Sequence, residues 1–198
     1  MRKKVITSTI VLTLAVGAGI YLPNITHHGK IIVKDQATYP AFTLHEMTDH
    51  ADRIVYGTVV KRENTKKIKI PVTTEFDVDD RNAGKFIEET VTEVKIQVEE
   101  PIKDTNENQL KSLDKQGNTI ITYNEAGGDA GAYFIEPEGG ALQEGEKVIV
   151  FLNEAGFTWG SQGVLRVEAK KVTTNNYNDK TQYEVNDFIE KVEILDAN

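Results

Sequence analysis

The chain has 198 residues, with 23 lysines and arginines against 31 aspartates and glutamates, a formal net charge of -8 and no cysteine. This acidic balance argues against a nucleic acid or an anionic membrane surface as a partner. The lack of cysteine excludes disulfide bridges and a lipid anchor on cysteine, and in an exported protein it favours a bacterial surface protein.

The first segment, residues 1–23, is predicted to be a signal peptide or an N-terminal membrane anchor. Its basic head, Arg2-Lys3-Lys4, precedes 18 uncharged residues that end at Leu22. Export signals and anchors both have this layout. A spanning helix needs about 20 apolar residues, so both interpretations stay open. Either places the rest of the chain outside the cytoplasm, in the cell membrane with an extracellular C-terminal domain or secreted, with membrane contact through this segment only.

Residues 24–40 are predicted to form a stalk with a short strand at Ile31–Val33, and residues 41–198 to form one β-barrel domain. Without its three basic head residues the chain keeps 23 - 3 = 20 bases and 31 acids, a net charge of -11. Such a domain stays dispersed in solution or meets cationic partners.

A short helix is predicted over residues 43–52. Thr43 is a natural N-cap, and Glu46 three residues later completes a capping box. Met47 and Ala51 then lie on one apolar face, because residues four apart are neighbours on a helix.

Alternating or continuous apolar residues predict at least five strands. Val91 to Glu100 alternates with period two, which indicates one buried face. Denser apolar runs predict central strands that are buried on both faces. Gly57 marks a bulge or a close approach of two backbones. The predicted strands cover residues 54–60, 91–100, 119–123, 148–152 and 165–169.

A second helix is predicted near the C-terminus, where Phe188, Ile189, Val192 and Leu195 follow helical spacing and Asn186 is a candidate cap. The predicted fold is therefore mainly β, a small antiparallel OB-like barrel with a short helix before the first strand and a C-terminal helix. Its long polar connections are the expected binding surfaces. They cover residues 63–90, 103–118 and 125–146, and the segment 153–164 is a further candidate.

The segments Ala51–Val59, Thr92–Lys103, Ile120–Gly128 and Leu142–Leu152 resemble, in this order, poorly characterised exported bacterial domains with an OB-like or netrin-like barrel. The resemblance covers about residues 43–172 and implies a scaffold, but it identifies no catalytic residues. Netrin-like protease inhibitors use an N-terminal cysteine, which this chain lacks. Their activity therefore does not carry over.

A four-residue repeat, Asn-Glu-Ala-Gly, begins at Asn124 and again at Asn153. One interpretation brings Glu125 and Glu154 together at one rim as a carboxylate pair that binds or reacts with a ligand. The other is a shared way of ending a strand, because Asn and Gly suit left-handed turn positions.

Three aromatic residues in glycine-rich segments, Tyr133, Phe134 and Trp159, are candidate binding residues. Exposed aromatic rings stack on sugars or anchor peptides. The alternative is that they close the ends of the core.

Asp77, Asp79 and Asp80 are candidate calcium ligands, because calcium takes six to eight oxygens from a flexible loop. Their spacing does not match an EF-hand, and a solvated acidic hairpin is the alternative. His45 and His50 are five residues apart, whereas zinc proteases need two histidines four apart on one helix face. No cofactor is therefore expected, and calcium is the one that stays open as an alternative.

These observations favour an extracytoplasmic binding or interaction module of a bacterial cell surface, with a protein or cell-wall ligand, over an enzyme. One alternative is a hydrolase of cell-wall or surface polymers that uses Glu125, Glu136, Glu138 or Glu154. The other alternative is a calcium-stabilised structural module.

Overall fold

The computed structural model describes residues 30–34, 41–71, 86–105, 111–174 and 180–197. The predicted leader and most of the predicted stalk lie outside these residues. Within the described ranges, no helix combines the length and the apolar character that a membrane span requires.

Eleven strands and two helices make up the described fold. The strands are β1 (Ile31–Lys34), β2 (Arg53–Pro71), β3 (Phe86–Asp104), β4 (Lys111–Leu113), β5 (Thr119–Ala126), β6 (Gly128–Asp129), β7 (Tyr133–Glu136), β8 (Lys147–Leu152), β9 (Val164–Glu168), β10 (Lys171–Thr173) and β11 (Gln182–Glu184). The helices are α1 (Leu44–His50) and α2 (Val185–Asp196), and a 3-10 turn spans Gly160–Gly163.

The large sheet has eight antiparallel strands in the order β11-β10-β9-β8-β2-β3-β5-β4. A small sheet has the order β1-β7-β6, with β1 parallel to β7. The prediction of a mainly β fold with one short and one C-terminal helix is confirmed, and so is the strand at residues 31–33.

The predicted barrel is wrong, because the described strands form open sheets. Beyond the three-residue β4, the free edge of β5 meets a turn instead of a strand. Asn124 donates its backbone N–H to the Gly156 carbonyl and its Nδ2 to the Ala155 carbonyl, both at 2.8 Å. A turn supplies too few backbone groups to continue a ladder, so the sheet curls without closing.

The core lies on both faces of the large sheet. Ile149 and Phe151 of β8 pack with α1 and α2 in a first core cluster. Val148, Val150 and Leu152 point to the other face, where they form a second core cluster with residues of β2, β3 and β5. The prediction that β8 is buried on both faces is therefore confirmed.

The β2–β3 pair is longer than the sequence suggests. Residues 63–71 and 86–90, predicted as loop, continue the two strands. Alternation is hard to see there because charged residues occupy both faces. The strands are nonetheless complementary, since Lys66 pairs with Glu93, and Lys67 Nζ lies 3.9 Å from a Glu88 oxygen.

The predicted capping box of α1 is confirmed. Glu46 Oε2 accepts hydrogen bonds from the Thr43 N–H at 2.7 Å and from the Thr43 hydroxyl at 2.8 Å. In return, Thr43 Oγ1 accepts the Glu46 N–H at 3.2 Å. These bonds favour the carboxylate and lower the pKa of Glu46 below its ordinary value of 4.5.

A lowered pKa makes the contribution of Glu46 to stability dependent on pH. The contribution is complete above pH 4.5 and is lost as the pH falls through the lower pKa of the folded state. We expect Glu46→Gln, which does not titrate, to unfold at lower urea than the wild type at pH 7, with a smaller difference at pH 3. An equal difference between the two urea midpoints at both pH values would contradict this prediction.

The start of α2 differs from the prediction. The helix begins at Val185, with Glu184 as N-cap, so the candidate cap Asn186 is already inside the helix. The Val185 N–H donates to the Lys170 carbonyl at 2.9 Å, which means that the β9–β10 turn positions the first turn of the helix. Phe188, Ile189 and Val192 are buried as predicted.

The β9–β10 turn also ends β9 at Glu168. Ala169, which is predicted to belong to this strand, lies in the turn instead. Ala169 and Lys170 have φ angles of 49° and 65° in a two-residue turn. Such turns favour Asn-Gly, because a β-carbon is strained at positive φ. We expect Ala169→Asn with Lys170→Gly to raise the free energy of unfolding by about 1 kcal/mol, measured by urea denaturation. Lys115→Gly, at a residue without positive φ, should give no gain.

Candidate functional site

A cleft of about 360 Å³ opens beside the second core cluster. The end of β5, the connection from β7 to β8, and strands β9 to β11 form its walls. Its volume is in the range of small-ligand sites. The lining residues are Tyr123, Glu125, Glu138, Gly139, Gly140, Leu142, Ser161, Val164, Arg166, Glu168, Lys171, Thr173 and Gln182.

Arg166 holds the loop that forms one wall of the cleft. Its Nη1 donates to the Gly139 carbonyl at 2.8 Å and its Nη2 to the Gly140 carbonyl at 2.7 Å. Gly139 and Gly140 have φ angles of 79° and 83°, a conformation that suits glycine. The Ser161 N–H of the 3-10 turn donates to Glu138 Oε2 at 3.2 Å. The loop is therefore held in place by the protein's own hydrogen bonds.

Glu125 is 1% exposed and accepts a hydrogen bond from the same loop at Leu142. Its Oε1 accepts the Leu142 N–H at 2.9 Å, and Arg62 Nη1 donates to the Leu142 carbonyl at 2.6 Å. Arg62 Nη2 lies 2.6 Å from Glu125 Oε2. This last contact is an ion pair without hydrogen-bond alignment, so Oε2 accepts no hydrogen bond from the described residues. Glu125 and Arg62 together therefore bind both backbone polar groups of Leu142, the N–H and the carbonyl.

The two repeats do not form a carboxylate pair. The side chain of Asn124 contacts the turn at Ala155, and successive residues of a strand point to opposite faces, so Glu125 points away from that turn. Glu154 is exposed in the turn itself. The two repeats also stand differently to their strands, because β5 runs through Asn124 to Ala126 and ends before Gly127, whereas β8 ends before Asn153.

Comparison of the chain with protein-family models, curated proteins and solved structures finds no match. The chemistry of the cleft therefore has to be argued from its own residues. Sequence reasoning missed Arg166, Glu168 and Lys171. Arg166 and Glu168 alternate with the apolar residues of β9, which is typical of the solvent-facing side of a strand, and Lys171 follows the β9–β10 turn. No signal in the sequence indicates that the connection from β7 to β8 contacts Arg166.

The candidate aromatic residues lie in separate parts of the fold. Tyr133 and Phe134 belong to β7 of the small sheet, where Tyr133 is 48% exposed. Trp159 packs on the first core cluster, with its ring 6.0 Å from Phe42 and 6.3 Å from His50 between centroids. These residues are not among those that line the cleft.

The candidate acidic residues also separate. Glu125 and Glu138 line the cleft, whereas Glu136 lies in β7 with an oxygen 3.7 Å from Lys34 Nζ. The candidate calcium ligands Asp77, Asp79 and Asp80 lie outside the described residues. Among the residues that are described, no three acidic or histidine side chains are placed to hold a metal. The calcium loop stays a prediction. A comparison of the melting temperature in calcium with that in a chelator tests it.

Proposed function

We propose that this domain is an extracytoplasmic binding module of a bacterial cell surface and that the cleft holds its ligand. The main support is the wall loop, which Arg166, Arg62 and Glu125 hold in position through contacts within the protein. A site that is already formed loses little conformational entropy when it binds.

The charges of the lining residues indicate a polar ligand. Glu138 and Glu168 offer acceptors, whereas the ammonium group of Lys171 reaches its nearest carboxylate, Glu184, only at 3.7 Å. The guanidinium of Arg166 is already occupied by loop carbonyls. Lys171 is therefore the cation that a ligand carboxylate would meet. A short peptide or a saccharide that carries a carboxylate, both present in bacterial cell walls, has the required groups.

Blocking the cleft tests this assignment. We expect Thr173→Trp, at a cleft-lining position, to weaken binding of soluble cell-wall fragments at least tenfold in isothermal titration calorimetry. Ser112→Trp, on the exposed strand β4 outside the cleft, is the matched control and should bind like the wild type. Equal affinity of the Thr173→Trp and wild-type proteins would overturn the assignment, and lack of wild-type binding would overturn the choice of ligand.

A hydrolase is the second candidate, because Glu125 and Glu138 line one cleft. The Arg62 contact and the Leu142 N–H already occupy Glu125, which leaves Glu138 as the acidic residue to test. Loss of cell-wall digestion in the Glu138→Gln variant, with Glu154→Gln as control, would support this function. Unchanged digestion by the Glu138→Gln variant, or no digestion by the wild type, would contradict it.

A further inference from the structure

Strand β1 is attached to the domain through one edge. Its four residues pair in parallel with Tyr133 to Glu136 of β7, and within the described part of the chain it pairs with no other strand. None of its residues is buried, and Ile31 is 48% exposed beside the equally exposed Tyr133. The strand therefore buries little apolar surface.

Ion pairs bracket this strand at both ends. Lys30 pairs with Asp129 of β6, and Lys34 Nζ lies 3.7 Å from Glu136 Oε2 of β7. Exposed ion pairs of this kind contribute only about 0–1 kcal/mol each. They nevertheless select what binds, because the edge presents two carboxylates that match cations four residues apart.

We propose that the edge of β7 that pairs with β1 is an acceptor site for an extended segment of a partner protein, and that β1 occupies this site when the partner is absent. The partner segment would have basic residues four apart around a short β-branched apolar run. Edge strands bind such segments through backbone hydrogen bonds, and side chains supply the selectivity. The net charge of -11 after the head residues favours a basic partner. This edge is separate from the cleft, whose lining includes no residue of β1 or β7.

The little surface that β1 buries makes the exchange accessible. A strand without buried side chains opens locally at a free energy far below that of global unfolding. The partner competes with a tethered strand, so it gains in affinity whenever β1 is weakened.

The test uses the full chain and a labelled peptide of residues 29–35 as probe. Reversing the charges of β1 with Lys30→Glu and Lys34→Glu places acids opposite Asp129 and Glu136 and should tighten peptide binding at least tenfold. In that background, Asp129→Asn with Glu136→Gln should weaken binding at least tenfold, whereas Glu154→Gln should leave it unchanged. An unchanged affinity in either of the first two comparisons would overturn the proposal.

A disulfide lock provides the second readout. Val33 and Ile135 are register partners, and the chain has no other cysteine, so Val33→Cys with Ile135→Cys can form one bridge. The reduced variant should bind the peptide like the wild type, and the oxidised monomer should not bind it. Binding by the oxidised monomer would overturn the proposal. A disulfide-linked dimer would also overturn it, because a second copy of the chain would then supply the strand.

Discussion

Replacing Glu125 by alanine is expected to lower the free energy of unfolding by about 3 kcal/mol. The change leaves the Arg62 guanidinium without its buried counter-ion and the Leu142 N–H without its acceptor. We expect the lower end of the range for broken buried pairs, because the Arg62 side chain keeps 19% exposure and reaches water. Urea denaturation, followed by the fluorescence of Trp159, measures the effect.

The chain contains a matched control for this experiment. Glu154 has the same neighbours in the second repeat but lies exposed in a turn, so Glu154→Ala should change stability by less than about 0.5 kcal/mol. Glu125→Gln should recover part of the loss, since its amide oxygen can still accept the Leu142 N–H. A double-mutant cycle with Arg62→Ala should give a coupling above about 1 kcal/mol. A coupling near zero would contradict a structural ion pair.

A methyl group at Gly57 is the second change with a large expected effect. A β-carbon there would lie 2.3 Å from the Gln97 carbonyl oxygen and 2.8 Å from Ile96 Cγ2. The main chain of β3 cannot rotate away as a side chain would, and Gly57 stands at a register shift of the β2–β3 ladder. We expect Gly57→Ala to destabilise the domain by about 3 kcal/mol, at the upper end of overpacking effects.

Val60→Ala is the control for Gly57, because it lies on the same strand with a side chain that is 39% exposed. Its effect should stay below about 1 kcal/mol. If the free energy of unfolding of the Gly57→Ala variant lies within about 0.5 kcal/mol of the wild-type value, the close approach of β2 and β3 does not constrain this residue.

The predictions that the structure confirms depend on interactions between residues close together in the sequence. The capping box at Thr43 needs only residues of one helical turn, and the alternation around Val94 and Ile96 reports one buried face directly. Gly57 was recognised as a point of close approach because a glycine inside an apolar strand has few other uses.

The errors have a common physical origin in contacts between distant segments. The arm of β2 and β3 around Lys66 and Glu93 looks like a polar loop until the two strands are paired, when opposite charges face each other. The start of α2 depends on the Lys170 carbonyl, which belongs to a turn on another part of the chain. Barrel closure failed for the same reason, since it depends on what reaches the edge of β5.

The candidate site shows the same division most clearly. Charge, period-two burial and helix capping are set by near neighbours, so the sequence is enough to predict an acidic, mainly β domain with two helices. Only the folded chain shows that Glu125 holds a loop through Arg62 and Leu142, while Glu154 of the identical repeat faces solvent. The burial and partners of a carboxylate determine its role, and both come from strands that the sequence does not place beside it.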